Sequence, residues 1–405
     1  MYRLVLFLCL ASVICADDDT PQRHDLAWAQ GLLRAVPELP RKAFPEQLPD
    51  FELGRAENAF REVVHTGGPT VDAYLGLAEC RMRLCAYADA ALSFRLALKL
   101  SPGNGAARDG LREADRRIRA SAAIAKRLPR GHNVVQLEPF PGNARDNLWA
   151  VLSAKTKPPH LADGPYYVDL RLGIYRVTGS RCTRLSLSNA LVDYWGRPGE
   201  SSEAHLYQVD LTGDRAPELA VLKTFYGASW MPSHLEIFAW KGNRLAKMFG
   251  LRSDLPNWIA DLNGDGRYEL GNSYCIGQEM SHAEMPYWQD VYAWDGHRFC
   301  LANHAFPDQF TTYVGELAKL LSQYPNDYEI RDYLGRTLEI LGRRDEALSA
   351  YREAVRTLDA LLEDERDVKT GDLLDTARSQ IRKRIQRLSR PRTGVVPSTS
   401  PEVEG

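Results

Sequence analysis

Four oxygen-bearing side chains are spaced along DLNGDGRYEL, Asp261 to Leu270: Asp261, Asn263, Asp265 and Glu269. Gly266 follows the third, where the backbone must turn sharply for the carbonyl of Arg267 to point inward. A hard cation such as Ca2+ takes about six to eight oxygens from a flexible loop, and this spacing supplies them. The chemistry expected is structural calcium binding by Asp261, Asn263, Asp265, the Arg267 carbonyl and Glu269. A second stretch, DLTGDRAPEL, stands 51 positions earlier and offers Asp210, Thr212, Asp214, the Ala216 carbonyl and Glu218. Thr212 is a neutral ligand there, and Arg215 replaces the turn glycine. Fewer charges and a stiffer turn predict weaker binding. The alternative for both stretches is an acidic turn that binds nothing, because turns favour Asp, Asn and Gly.

Other chemistry finds little support. The chain has no HExxH, GxSxG, P-loop or dinucleotide fingerprint, so nothing places a nucleophile beside a base. His282-Ala283-Glu284 reads as a solvated loop, with no second histidine at ligand spacing. The expectation is a protein that is not an enzyme. A net charge of −2 gives no basic face for nucleic acid.

The elements that must position these loops are read next. The stretches flanking DLNGDGRYEL alternate like strands, and an EF-hand's twelfth-position glutamate would fall on Asn272, so the loop joins strands rather than helices. From 132 to 306 the chain is strand-like and internally repetitive. Ile174–Leu185, Ile237–Met248 and Val291–Ala302 align as three hairpins turning at Gly179, Gly242 and Gly296. Each repeat then has four strands, with the acidic turn joining the first two; the first repeat has PGNARDN there and lacks the ligand pattern. These repeats resemble the FG-GAP/VCBS-type units of integrin-like β-propellers, which implies calcium in the acidic turns. Ordinary propellers have four to eight blades or so, and three repeats imply a propeller-like domain that is not an ordinary closed ring.

Helical periodicity occupies both flanks, 24–128 and 309–388. Val71 to Pro102 places Tyr74, Leu77 and Ala78 in one helix and Ala90, Phe94 and Ala97 in the next. That string resembles a tetratricopeptide repeat (TPR), a helix–turn–helix of about 34 residues with small residues where its helices cross. Arg81 stands where the family usually has an aromatic. Ala56 and Phe60, 34 positions before Ala90 and Phe94, mark the second helix of a preceding repeat, and Asn104 to Ala125 a capping helix. Tyr328 to Asp359 repeats the pattern with Leu334, Gly335, Ala347, Tyr351 and Ala354, after the natural caps Asn326 and Asp327. The resemblance implies grooves for a protein or peptide partner. They would be lined by Asp72, Leu75, Glu79, Met82 and Arg83, and by Glu329, Asp332, Arg336, Glu339 and Ile340.

The whole is predicted as an α+β multidomain chain with helical hairpins at both ends of a β-repeat domain. Residues 1–16, with Arg3 ahead of an apolar run, read as a signal peptide, and 389–405 as a disordered tail. The protein is expected to be secreted or periplasmic, with no membrane span once the signal is removed. Long links between the second and third strands of each repeat carry Tyr226, Trp230, Met231, His282 and, just beyond, Trp288. These are either a partner-binding rim or a lid folded over the strands. A scaffold for protein interaction is the leading reading; a carbohydrate-binding protein using the rim aromatics is the alternative. Trp240 and Trp294, at one place in two hairpins, read as core. Cys275 and Cys300 are either a disulfide or two core thiols.

Overall fold

A computed structural model describes residues 26–35, 49–140, 147–157, 166–191, 201–226, 232–277, 286–364 and 368–390. The chain divides into two compact units, one of residues 1–36 with 49–118 and one of 37–48 with 119–405. The secondary structure is mixed, with helices and three four-stranded antiparallel sheets.

The first unit is built from α1 (Leu26–Ala35), α2 (Pro49–Glu62), α3 (Val71–Arg83), α4 (Tyr87–Leu100) and the start of α5 (Gly105–Ala125). Caps set the helix starts: Thr70 Oγ1 accepts from the Ala73 N–H, and Asn104 Oδ1 from the Ala107 N–H. Small residues let the helices close on one another. Ala90, Ala91 and Ala97 of α4 are buried with Ala78 of α3 and Ala107 and Ala114 of α5. Glycine has a steric role at Gly76, where an added Cβ would lie 2.2 Å from the Phe60 ring. The contact recurs 34 positions on, where a Cβ at Gly110 would lie 2.3 Å from the Phe94 ring.

The second unit opens with three antiparallel meanders. The first sheet holds β1 (Asn133–Phe140), β2 (Leu148–Lys157), β3 (Tyr166–Thr178) and β4 (Arg181–Leu187). The second holds β5 (Ser201–Val209), β6 (Glu218–Tyr226), β7 (Ser233–Lys241) and β8 (Arg244–Ser253). The third holds β9 (Trp258–Ala260), β10 (Glu269–Cys275), β11 (Tyr287–Trp294) and β12 (Phe299–Leu301). The three aligned hairpins are β3–β4, β7–β8 and β11–β12, and the two acidic turns join β5 to β6 and β9 to β10.

The second sheet is covered on both faces. Leu219 and Val221 of β6 pack with Leu152, Leu172 and Ile174 of the first sheet. Ala220 and Leu222, pointing the other way, pack with Ile259 and Leu270 of the third. Alternate residues of a strand face opposite sides, so a strand buried on both must read as a continuous apolar run; Leu219–Leu222 does. Polar bonds tie the layers too. The Gln136 side chain donates to Leu206 O at 2.9 Å and accepts from Leu206 N at 2.6 Å, as a neighbouring strand would.

Among the described residues none of the sheets closes on itself. Against the third stand α6 (Thr311–Gln323) and α7 (Tyr328–Ile340), whose Leu317, Ile330 and Tyr333 join Trp258, Trp288 and Val291 in one core. Helices thus take the place where a further sheet would stack. Asp327 Oδ1 caps α7 by accepting from the N–H groups of Glu329 and Ile330. Then come α8 (Arg344–Asp364), running past the expected end of the repeat, and α9 (Val368–Ser389).

Candidate functional site

The two acidic turns have one conformation. Asp210 Oδ1 accepts from the Gly213 N–H (2.7 Å) and Oδ2 from the Arg215 N–H (2.8 Å). Asp261 does the same to Gly264 (2.8 Å) and Gly266 (3.0 Å). Asp214 and Asp265 each accept, at 2.8 Å, from the N–H two residues on. Glu218 and Glu269, buried at the strand starts, accept from Leu211 N at 2.8 Å and Leu262 N at 2.9 Å. The fourth and sixth positions have positive φ in both turns: Gly213 and Arg215, Gly264 and Gly266. Arg215 therefore adopts the left-handed conformation that glycine takes in the later turn, at a cost of about 1 kcal/mol.

Burial pushes both glutamates above the ordinary carboxylate pKa, and nearby Asp214, for Glu218, and Asp265 with Asp261, for Glu269, add to it. Among the described residues no three His, Cys, Asp or Glu side chains converge as a metal-holding group. Any fit to Ca2+ rests on a mixed donor set of carboxylate, amide, hydroxyl and backbone oxygens. That chemistry suits a hard cation, since an aspartate oxygen already bonded to one N–H keeps a further lone pair.

The helices of the first unit enclose a different kind of site. A cavity of about 340 Å³ lies between α1 and α3 and includes Gln30, Leu33, Arg34, Asp72, Leu75 and Glu79 in its lining. Three of these, Asp72, Leu75 and Glu79, are groove positions expected from the repeat pattern. Asp72 and Glu79 are exposed, and neither has an ion-pair partner among the described residues. The α1 contributions were missed; their three- and four-residue spacing from Gln30 was the available signal.

The corresponding positions of the second helical region make contacts within the chain instead. Glu329 accepts from Gly277 N at 3.0 Å. Asp332 is buried and ion-paired with Arg336 (2.8 Å) and with Arg384 of α9 (2.9 Å). Glu339 accepts from Tyr351 Oη at 3.0 Å and pairs with Arg387. These expected groove residues are engaged within the chain.

Trp288 is corrected in the same place. It is not on a rim but 1% exposed, its ring centroid 4.9 Å from Tyr333 and 5.3 Å from Phe310. Its Nε1–H donates to Asp290 Oδ1 at 2.8 Å. Trp230, Met231 and His282 lie outside the described residues; Tyr226 ends β6 opposite Ser201, and its side chain lies outside them too. Cys275 and Cys300 are free thiols: β11 lies between their strands, and they pair with opposite ends of it, Tyr287 and Ala293.

One constellation was not seen in the sequence. Ser153 Oγ stands 3.4 Å from His132 Nδ1, and His132 Nε2 stands 3.1 Å from Asp169 Oδ2. Ser153 is 1% exposed and the His132 side chain is fully buried, so the hydroxyl is closed to a substrate. Asp169 also pairs with Lys155 and Arg171 and holds a φ of 53°. Burial raises its pKa, but hydrogen bonds from Arg171, Lys155 and His132 outweigh that and hold it well below the usual range. An acid so neutralised is a structural anchor rather than the orienting member of a triad.

Comparison with known proteins bears on the first unit. Residues 52–105 match the tetratricopeptide repeat family. No curated protein and no solved structure matches the chain. The matched stretch runs from α2 through α4, the helices that carry the Gly76–Phe60 contact and one wall of the cavity. Among the described residues, no helix is long and apolar enough to cross a membrane.

Proposed function

We propose that this protein is a non-catalytic interaction scaffold that takes an extended peptide in the groove between α1 and α3. The observation carrying this reading is the open cavity lined by Leu33, Leu75, Asp72 and Glu79, whose α3 wall lies within the matched tetratricopeptide repeat. Repeats of this kind typically mediate protein–protein interaction. Two carboxylates without ion-pair partners among the described residues, beside two leucines, suit a segment with one basic and one apolar side chain. Selection of displayed peptides on the full chain tests this. Basic–apolar peptides should be enriched and should lose binding both to Leu75→Arg, at a half-buried position, and to Asp72→Lys/Glu79→Lys, whose positions are exposed. Enriched peptides that bind Leu75→Arg equally well overturn the reading.

The β-repeats are the scaffold's rigid part, of FG-GAP/VCBS type, with structural Ca2+ at Asp261–Glu269 and more weakly at Asp210–Glu218. Asp261, Asn263, Asp265 and Glu269, with the Arg267 carbonyl, would hold the ion, which would tie adjacent strands together. Export to a secreted or periplasmic location accords with this, because extracellular modules bind calcium with dissociation constants of roughly 10⁻⁴ to 10⁻³ M. At ~1 mM calcium one such site adds about 0.4 to 1.4 kcal/mol. The melting temperature should rise a few degrees in calcium over EDTA, and Asp261→Ala should remove most of the rise. Superimposable melts contradict the calcium assignment.

The carbohydrate reading on Tyr226, Trp230, Met231, His282 and Trp288 is weakened by the burial of Trp288.

A further inference from the structure

At the acidic-turn end of the sheets a second cavity, of about 480 Å³, lies among residues from all three. We propose that it binds a neutral saccharide, stacked on Trp240 and Trp294 and hydrogen-bonded by Asp214, Lys241 and Arg267. The site is distinct from the peptide groove and does not depend on it. Its volume falls within the roughly 300–1,000 Å³ of small-ligand sites.

Trp240, next to last in β7, and Trp294, last in β11, hold the same hairpin position and were read as core. Both pack against the core on one side, are only partly buried, and line the cavity on the other. Neighbouring rings hold them: Trp240 meets Phe140 edge-on at 6.2 Å, and Trp294 meets Phe299 at 5.2 Å. In the first hairpin Val177 takes this place, so only the second and third sheets supply an indole. Two partly exposed indoles held by neighbours give an apolar surface at low entropic cost.

The polar lining is mixed in sign. Arg267 reaches from the later acidic turn across the earlier one, its Nε 2.8 Å from where a Cβ on Gly213 would stand. Neither Arg267 nor Lys241 makes a side-chain hydrogen bond or ion pair among the described residues, although Asp214 lines the same cavity. Donors, a carboxylate acceptor and the Thr212 hydroxyl therefore surround aromatic surface. A charged ligand would meet a like charge on one side or the other. A sugar ring is neutral, has hydroxyls that both donate and accept at its edge, and has apolar C–H faces. It matches this lining on every count.

The test uses the full chain in calcium-containing buffer against a panel of neutral mono- to tetrasaccharides, with uronic-acid and amino-sugar oligomers as charged controls. Titration calorimetry at about 10 mM sugar detects the millimolar binding that corresponds to roughly −4 kcal/mol. A neutral sugar should bind, and Trp240→Ala and Trp294→Ala should each weaken it about tenfold, as expected for loss of one aromatic platform. Lys241→Ala, at an exposed position that cannot disturb the core, should weaken it several-fold. Leu75→Arg should leave it unchanged, which separates this site from the groove. Binding by none of the neutral panel overturns the proposal. So does binding only of the charged controls, or binding unaffected by Trp294→Ala and Lys241→Ala.

Discussion

The two helical regions share one packing code yet present opposite faces. Ala90, Phe94 and Ala97 in the first, and Ala347, Tyr351 and Ala354 in the second, are all buried at corresponding positions. In each region a glycine admits a ring: Gly76 admits Phe60, and Gly335 admits Tyr351, 2.5 Å from its would-be Cβ. The difference lies on the first helix of the repeat. Where α3 has Leu75 and Gly76, α7 has Asp332 and Tyr333. Gly76 leaves room for the preceding helix's ring, and the neighbouring surface stays open around Leu75. Tyr333 instead reaches Trp288 of the third sheet, and Asp332 is clamped by Arg336 and Arg384. A repeat pattern thus specifies the hairpin, while two residues on one helix face decide whether that face stays open or becomes core.

The largest test of this contrast is Trp288→Ala. Removing the ring that α7 covers should cost about 3–5 kcal/mol in urea unfolding. A loss under about 1 kcal/mol would place the residue outside a packed core. Next comes Asp332→Ala, which strands Arg336 and Arg384 and should cost about 3 kcal/mol. The same experiment on Asp72, an exposed carboxylate on the open side, should change stability by less than about 0.5 kcal/mol. Gly76→Ala sharpens the comparison from the other side. Its methyl would meet the Phe60 ring and should cost about 1–3 kcal/mol, with part recovered in Gly76→Ala/Phe60→Leu.

A smaller effect belongs to the sheets and should leave the helical contrast untouched. Asp169 is held below the ordinary aspartate pKa by bonds to Arg171, Lys155 and His132. Its contribution, about 1–3 kcal/mol, is fully present above the unfolded value near 3.9 and is lost as pH falls toward the folded one. Wild type should lose stability below about pH 4 more steeply than Asp169→Asn. Parallel pH profiles for the two would remove Asp169 from the account.

Much of the second unit was legible because its signals are local. Gly179, Gly242 and Gly296 mark three hairpin turns and do sit at positive φ. The 51-residue offset between Asp210 and Asp261 carried over into one shared turn geometry. What could not be read is what covers an element's outer face. Trp288 sits in a strand whose alternation gives one face to something, and the sequence does not say that the something is α7. Trp240 and Trp294 do pack against the core, but only in part, since repetition of a tryptophan does not show how far a neighbouring sheet closes over it. The Ser153–His132–Asp169 network joins β2, the β1 entry and β3, and such long-range polar pairing leaves no spacing signature.

Hydrogen exchange of the full chain with and without a selected basic–apolar peptide tests the central contrast most directly. The account predicts added protection in α1 and α3, around Leu33 and Leu75, and no change in α7 around Asp332 and Tyr333. Protection appearing in α7, or absent from α1 and α3 under saturating peptide, would contradict it.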